Sequence, residues 1–175
     1  MEHPHLQQIY ERLKQSYPDR CPCSETRVDT EDPLVDALCD RLFPRSGSWS
    51  EVAFPEESSF VIEAFMLLSQ CARAYYYAAY MWQALANPYY RSGSLRAIED
   101  VQSRGSFAYQ LWTESSLDQR SVILSYLDFL ASQEVSKPLI RVLGIPLFDP
   151  VLTYEVNRSR RLLNLLSEQS KPKLI

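Results

Sequence analysis

Glycine and histidine are the two shortages in this sequence. Four Gly in 175 residues are too few for folds built on many left-handed turns or phosphate-cradling loops, which argues against hairpin-rich sheets and P-loops. Gly-rich nucleotide fingerprints are missing as well. The 2 His are His3 and His5, so a Ser-His-Asp or Cys-His nucleophile would have to recruit the extreme N-terminus. Glu-x-x-His, the helical di-metal signature, is absent. The one superficial zinc set pairs His3-x-His5 with Cys21-x-Cys23. Structural zinc sites use two to four residues between paired Cys and three to five between paired His, so no metal is expected. Glu63, Glu99, Asp100, Glu114 and Asp128 are available for acid–base work, but no spacing recommends any pair of them. The expectation is a non-enzyme with no cofactor.

Long apolar runs are also lacking. The richest stretch, residues 60–86, is interrupted by Glu63, Ser69, Gln70, Arg73 and Gln83, so no membrane span is expected. The first residues, Met-Glu-His-Pro-His, carry neither a basic region nor an apolar one. A cytoplasmic location follows as the expectation. In that reducing compartment Cys21, Cys23, Cys39 and Cys71 read as free thiols. A net charge of −4 and a pI near 5.2 leave no electrostatic footprint for nucleic acid.

What the chain does have is ordinary globular composition, 46% hydrophobic and 23% charged, and enough length for one domain with a proper core. A single helical domain over residues 1–175 is the expectation. Charge is uneven: residues 1–60 hold 12 acidic and 6 basic side chains, and residues 61–175 hold 10 and 12. Internal compensation between the two ends accounts for this.

Apolar positions recur at helical spacing. Leu6, Ile9, Tyr10, Leu13 and Tyr17 predict a helix over 4–16. Residues 18–31 read as a polar connector. Asp32-Pro33 starts a helix with a cap and a proline at the first helical position, and Pro44 stops it. A loop containing Trp49 folds back onto the core. Pro55-Glu56-Glu57 opens a long helix over about 56–86, ended by Asn87-Pro88. Residues 89–93 read as a turn, and Ser94 caps a helix to about 112. Ser116 and Gln119 form a capping box for a helix over 117–133. Residues 137–147 fit either a short helix or a short strand. Asp149-Pro150 launches a last helix to about 169, and residues 170–175 read as a frayed tail. The fold class is therefore all-α, a bundle of about six helices around a long, charge-poor central helix.

From residue 60 to residue 86 that central helix carries only Glu63 and Arg73 as formal charges. One face, Val61, Phe65, Leu68, Ala72, Tyr75, Ala79, Trp82 and Ala86, alternates small and large residues, as a closely packed neighbour requires. The opposite face holds Glu63, Met66, Gln70, Arg73, Tyr77 and Tyr80. Wrapping by other helices explains a polar face this narrow. The functional reading is that Glu63, Gln70, Arg73, Tyr77 and Tyr80 face a partner or ligand, since Tyr and Arg recur at interfaces. Arg158, Arg160 and Arg161 are the densest basic cluster. Arg158 and Arg161 share a face and form a candidate docking patch for an acidic partner.

Cys71-Ala72-Arg73, followed by Tyr75, Tyr76 and Tyr77, resembles the bilin-attachment segment of phycobiliproteins. The resemblance covers this handful of residues and departs from the family at Ala74, where an Asp holds the pyrrole nitrogens. It implies a tetrapyrrole-like or apolar ligand beside Cys71, Arg73 and Tyr77. The leading expectation is a non-enzymatic helical interaction protein, an accessory, adaptor or regulatory subunit with a protein partner. Self-association is a further way to cover a nearly uncharged helix.

Overall fold

Helix starts follow local chemistry in this protein. In the computed structural model, residues 4–26, 32–56, 58–99, 105–132, 140–142, 145–147 and 150–170 are described. They define an all-α fold of eight α-helices with one short hairpin. Two compact units organise the chain, Met1–Ser94 and Leu95–Ile175. Among the described residues no helix is long and apolar enough to cross a membrane.

In the first unit, α1 (Pro4–Ser16) buries Ile9 and Leu13, two positions of the stripe predicted for it. The α2 helix (Pro33–Leu42) begins as expected: the Asp32 side chain accepts the Leu34 N–H at 2.9 Å, and Pro33 occupies the first turn, where its missing N–H costs nothing. A single 3-10 turn (Trp49–Glu51) interrupts the segment that follows. Trp49 is 1% exposed, so the loop does fold back onto the core.

The long helix expected over 56–86 is two helices, α3 (Phe60–Met66) and α4 (Gln70–Ala86). The physical cause is Ser69. Its Oγ accepts the Ala72 N–H at 3.3 Å and donates to Glu25 O at 2.7 Å, while its own N–H donates to Thr26 O at 3.1 Å. Ser69 thus caps α4 and docks the residue 18–26 connector in the same position. The helix also starts later than Pro55. The carbonyls of Pro55 and Glu56 accept side-chain hydrogen bonds from Tyr90 and Asn87, which holds that stretch outside the helix. Beyond α4, the expected turn is a 3-10 turn (Pro88–Tyr90) running into α5 (Arg91–Ala97). Ser94 lies inside α5 rather than capping a helix.

Ten of the seventeen α4 residues are buried, including Tyr75, Tyr76, Tyr77 and Tyr80. Around them stand Phe43, Phe54, Phe65 and Tyr90. The Phe43–Tyr76, Phe54–Tyr80 and Phe65–Tyr80 ring centroids are 5.4, 5.3 and 5.2 Å apart in tilted or edge-on geometry, each pair contributing roughly 0.5–1.5 kcal/mol beyond area burial. Trp82, only half-buried, lies 4.3 Å from Tyr10 between ring centroids.

In the second unit the helix expected to reach residue 112 is replaced by α6 (Phe107–Glu114), capped by Ser106 through the Tyr109 N–H. Gly105 precedes it at φ 94°, a left-handed conformation that ends any continuous helix there. The capping box is present. Ser116 Oγ accepts the Gln119 N–H at 3.2 Å, and Gln119 Oε1 accepts the Ser116 N–H at 3.0 Å, opening α7 (Leu117–Ser132). Residues 140–142 and 145–147 form an antiparallel pair, β1 (Ile140–Val142) and β2 (Ile145–Leu147), so strand replaces helix as the reading for part of 137–147. The last helix, α8 (Pro150–Gln169), packs on α7. It buries Val156, Ser159, Leu162 and Leu166 along one stripe. Residues 27–31 of the predicted connector, the Asp149 cap and residues 171–175 of the predicted tail lie outside the described residues.

Candidate functional site

The α4 tyrosines serve the loop before α3. Tyr75 Oη accepts the Trp49 N–H at 3.0 Å and donates to Gly47 O at 3.4 Å. Tyr76 Oη donates to Pro44 O, and Gln83 Nε2 donates to Val52 O at 2.7 Å. Asn87 Nδ2 donates to Glu56 O at 2.6 Å, and Tyr90 Oη donates to Pro55 O. Residues 44–56 have little secondary structure of their own, and these side chains satisfy backbone groups that burial would otherwise leave unpaired. Burial raises the pKa of both Tyr75 and Tyr76 above the ordinary phenol value, because the phenolate would lose its hydration.

The five residues expected to share a partner-facing stripe are therefore distributed differently. Tyr77 is 0% exposed, and its Oη donates to Ser94 O at 3.0 Å. Tyr80 is 1% exposed, ringed by Phe54, Phe65 and Tyr90. Both face the core. Glu63 is exposed on α3, while Gln70 and Arg73 are half-buried in the first turn of α4. Burial lowers the Arg73 guanidinium below its ordinary pKa. Helical spacing puts Met66 on the same face as Glu63, but Phe60 was missed and neither apolar side chain of α3 was among the residues expected to face a partner. Phe60 is 57% exposed and Met66 52% exposed, flanking Glu63, while Val61, Ala64 and Phe65 fill the buried side of the same helix. Their spacing was visible, but no periodic rule says which side of a short helix is left open.

The cysteines are not all free thiols, as had been expected. Cys23 and Cys71 form a disulfide across a sequence separation of 48, and Cys21 and Cys39 are outside any disulfide. The bond ties the connector to the first turn of α4, beside the two Ser69 hydrogen bonds. It also occupies the sulfur that the bilin resemblance would use for attachment. Cys39 is buried, its thiol 3.8 Å from Ala64 O. Burial raises the Cys21 pKa, opposed by a backbone hydrogen bond at Cys23. Among the described residues no group of three or more His, Cys, Asp or Glu is arranged to hold a metal ion. His5 is exposed on α1, and His3 lies outside the described residues.

In the second unit the two arginines proposed as a docking patch differ. Arg161 is exposed. Arg158 is buried at 8% and pairs through Nη2 with Glu99 Oε2, its guanidinium 5.9 Å from the Tyr154 ring centroid. A buried, paired guanidinium holds α8 to residue 99 and offers little to an outside partner. Arg160, also exposed, leaves Arg160–Arg161 as the accessible basic pair. Comparison with protein-family models, curated proteins and solved structures returned no match.

Proposed function

We propose that the chain is a non-enzymatic helical protein–protein interaction module, an accessory, adaptor or regulatory subunit. Its partner-facing residues are Phe60, Glu63 and Met66 on the open side of α3, together with Gln70 and Arg73 in the first turn of α4. The observation that carries this reading is the pair of large apolar side chains more than half exposed on a seven-residue helix. Covering the exposed half of each on binding contributes about 1–1.5 kcal/mol, and Glu63 and Arg73 supply charges of opposite sign to set orientation. The occupant is a protein with an apolar contact flanked by polar groups, or a second copy of this chain. A cytoplasmic location is part of this proposal, and it requires the Cys23–Cys71 bond to be one of the transient disulfides of that reducing compartment.

The test replaces Phe60 and Met66 with Ser and compares the variant with the intact protein by sedimentation and by capture from native lysate. A partner, or a self-association step, that is lost in Phe60→Ser/Met66→Ser while circular dichroism stays unchanged supports the reading. Identical partners and identical mass in both proteins would remove α3 as the interaction surface.

A further inference from the structure

The connector holds a free thiol two residues from one end of a disulfide whose other end lies in the first turn of a helix. Cys21 and Cys23 are half-buried and Cys71 is exposed. Only Pro22 separates Cys21 from Cys23 in the chain, so the Cys21 thiol sits beside the residue carrying the disulfide, and the Cys23 backbone acts on its sulfur. Cys71 is the second residue of the seventeen-residue α4. There the positive end of the helix dipole stabilises a thiolate.

We propose that Cys21, Cys23 and Cys71 form an internal thiol–disulfide exchange site, in which Cys21 displaces Cys71 from Cys23. The Cys21 thiol gives its proton to solvent, and the thiolate attacks Cys23 Sγ. A Cys21–Cys23 bond forms, the Cys23–Cys71 bond breaks, and the electron pair leaves on Cys71 Sγ. One disulfide and one thiol stand on each side, so no external oxidant or reductant is consumed. Attack falls on Cys23 because the better-stabilised thiolate is the better leaving group, and Cys71 is the cysteine at the helix N-terminus. The covalent tie between the connector and α4 is then gone. The Ser69 hydrogen bonds to Glu25 O and Thr26 O are left as the local link, and an exposed Cys71 thiolate becomes available to external disulfides. Burial holds Cys21 in the thiol form at neutral pH, with Tyr75 and Tyr76 as its titratable neighbours and Asp19 beside Tyr75. The exchange therefore speeds up as pH rises.

The oxidised 175-residue protein, without reductant, is incubated at neutral pH and at about pH 8.5, near the ordinary thiol pKa. It is then labelled with a maleimide and mapped by non-reducing peptide mass spectrometry. The expected result is label on Cys71 together with a Cys21–Cys23 bond inside one peptide, in a fraction that grows with pH. In Cys21→Ser, and equally in Cys21→Ala, that label is lost and the Cys23–Cys71 bond persists. Cys39, 0% exposed, stays unlabelled and so separates exchange in the folded chain from unfolding. The proposal is overturned by label confined to Cys21 at both pH values, by a Cys21–Cys71 bond with label on Cys23, or by Cys71 label that survives the Cys21 substitutions. Cys71 label that arises only together with Cys39 label overturns it equally.

Discussion

The Tyr80 hydroxyl lies where a side chain on Gly93 would begin: a Cβ built on Gly93 would stand 2.2 Å from Tyr80 Oη and 3.1 Å from its Cζ. Gly93 sits inside α5, where glycine costs about 1 kcal/mol relative to alanine, so the position is held by the close approach and not by helix propensity. Gly93→Ala is expected to destabilise by about 1–3 kcal/mol through overpacking, because Tyr80 is fixed by Phe54, Phe65 and Tyr90 and cannot swing aside. Tyr80→Phe removes the clashing atom, so the double variant is expected to recover much of the loss. A double-mutant cycle by urea unfolding checks this. Strictly additive effects would mean that the two residues do not meet.

Alkaline pH should unfold the first unit. Burial raises the phenol pKa of Tyr17, Tyr75 and Tyr76 above their ordinary value of 10.0. For an acid whose folded pKa is raised, the folded state keeps its proton after the unfolded chain has lost it. Stability is thus intact below about pH 10 and falls as pH climbs past it. Spectrophotometric titration should show these phenols ionising in one cooperative step with the loss of circular dichroism. Smooth ionisation near pH 10 with the fold intact would mean that they are open to water.

The Arg158–Glu99 pair makes a prediction for the second unit. The Arg158 side chain is 7% exposed and the Glu99 side chain 45%. Glu99→Gln leaves a buried guanidinium without its carboxylate and is expected to cost about 1–2 kcal/mol, less than a fully buried pair would because Glu99 is half-solvated. Arg158→Met, which removes the buried charge as well, should cost less than Glu99→Gln. Thermal unfolding of both variants decides the order.

What was legible in the sequence was local. Asp32-Pro33 and the Ser116–Gln119 box act within one helical turn, and both work as the residue types require. The break between α3 and α4 was not legible, because Phe65, Leu68 and Ala72 continue the helical stripe straight across it. What stops the helix is Ser69 bonding to Glu25 and Thr26, more than forty residues upstream. A phenol is half polar, so helical spacing alone makes Tyr77 and Tyr80 look partner-facing. Their burial depends on Ser94 O, Phe54 and Phe65, which no spacing rule brings together. Gly93 and the Cys23–Cys71 pairing were hidden for the same reason. The exposed face of α3 and the burial of Arg158 are likewise properties of packing, and helical periodicity describes a stripe without saying what covers it.

Phenols of α4 hold the irregular 44–56 segment, and the backbone amide of Trp49 reports on that hold directly. Its N–H donates to Tyr75 Oη at 3.0 Å in a buried setting, and removing the acceptor should cost about 1–3 kcal/mol for the orphaned donor. Hydrogen exchange followed by NMR is expected to show a slow Trp49 amide in the native protein. In Tyr75→Phe that amide should become fast while the amides of residues 76–86 stay protected. A Trp49 amide that exchanges at the unprotected rate in the native protein, or that is unchanged in Tyr75→Phe, would contradict it.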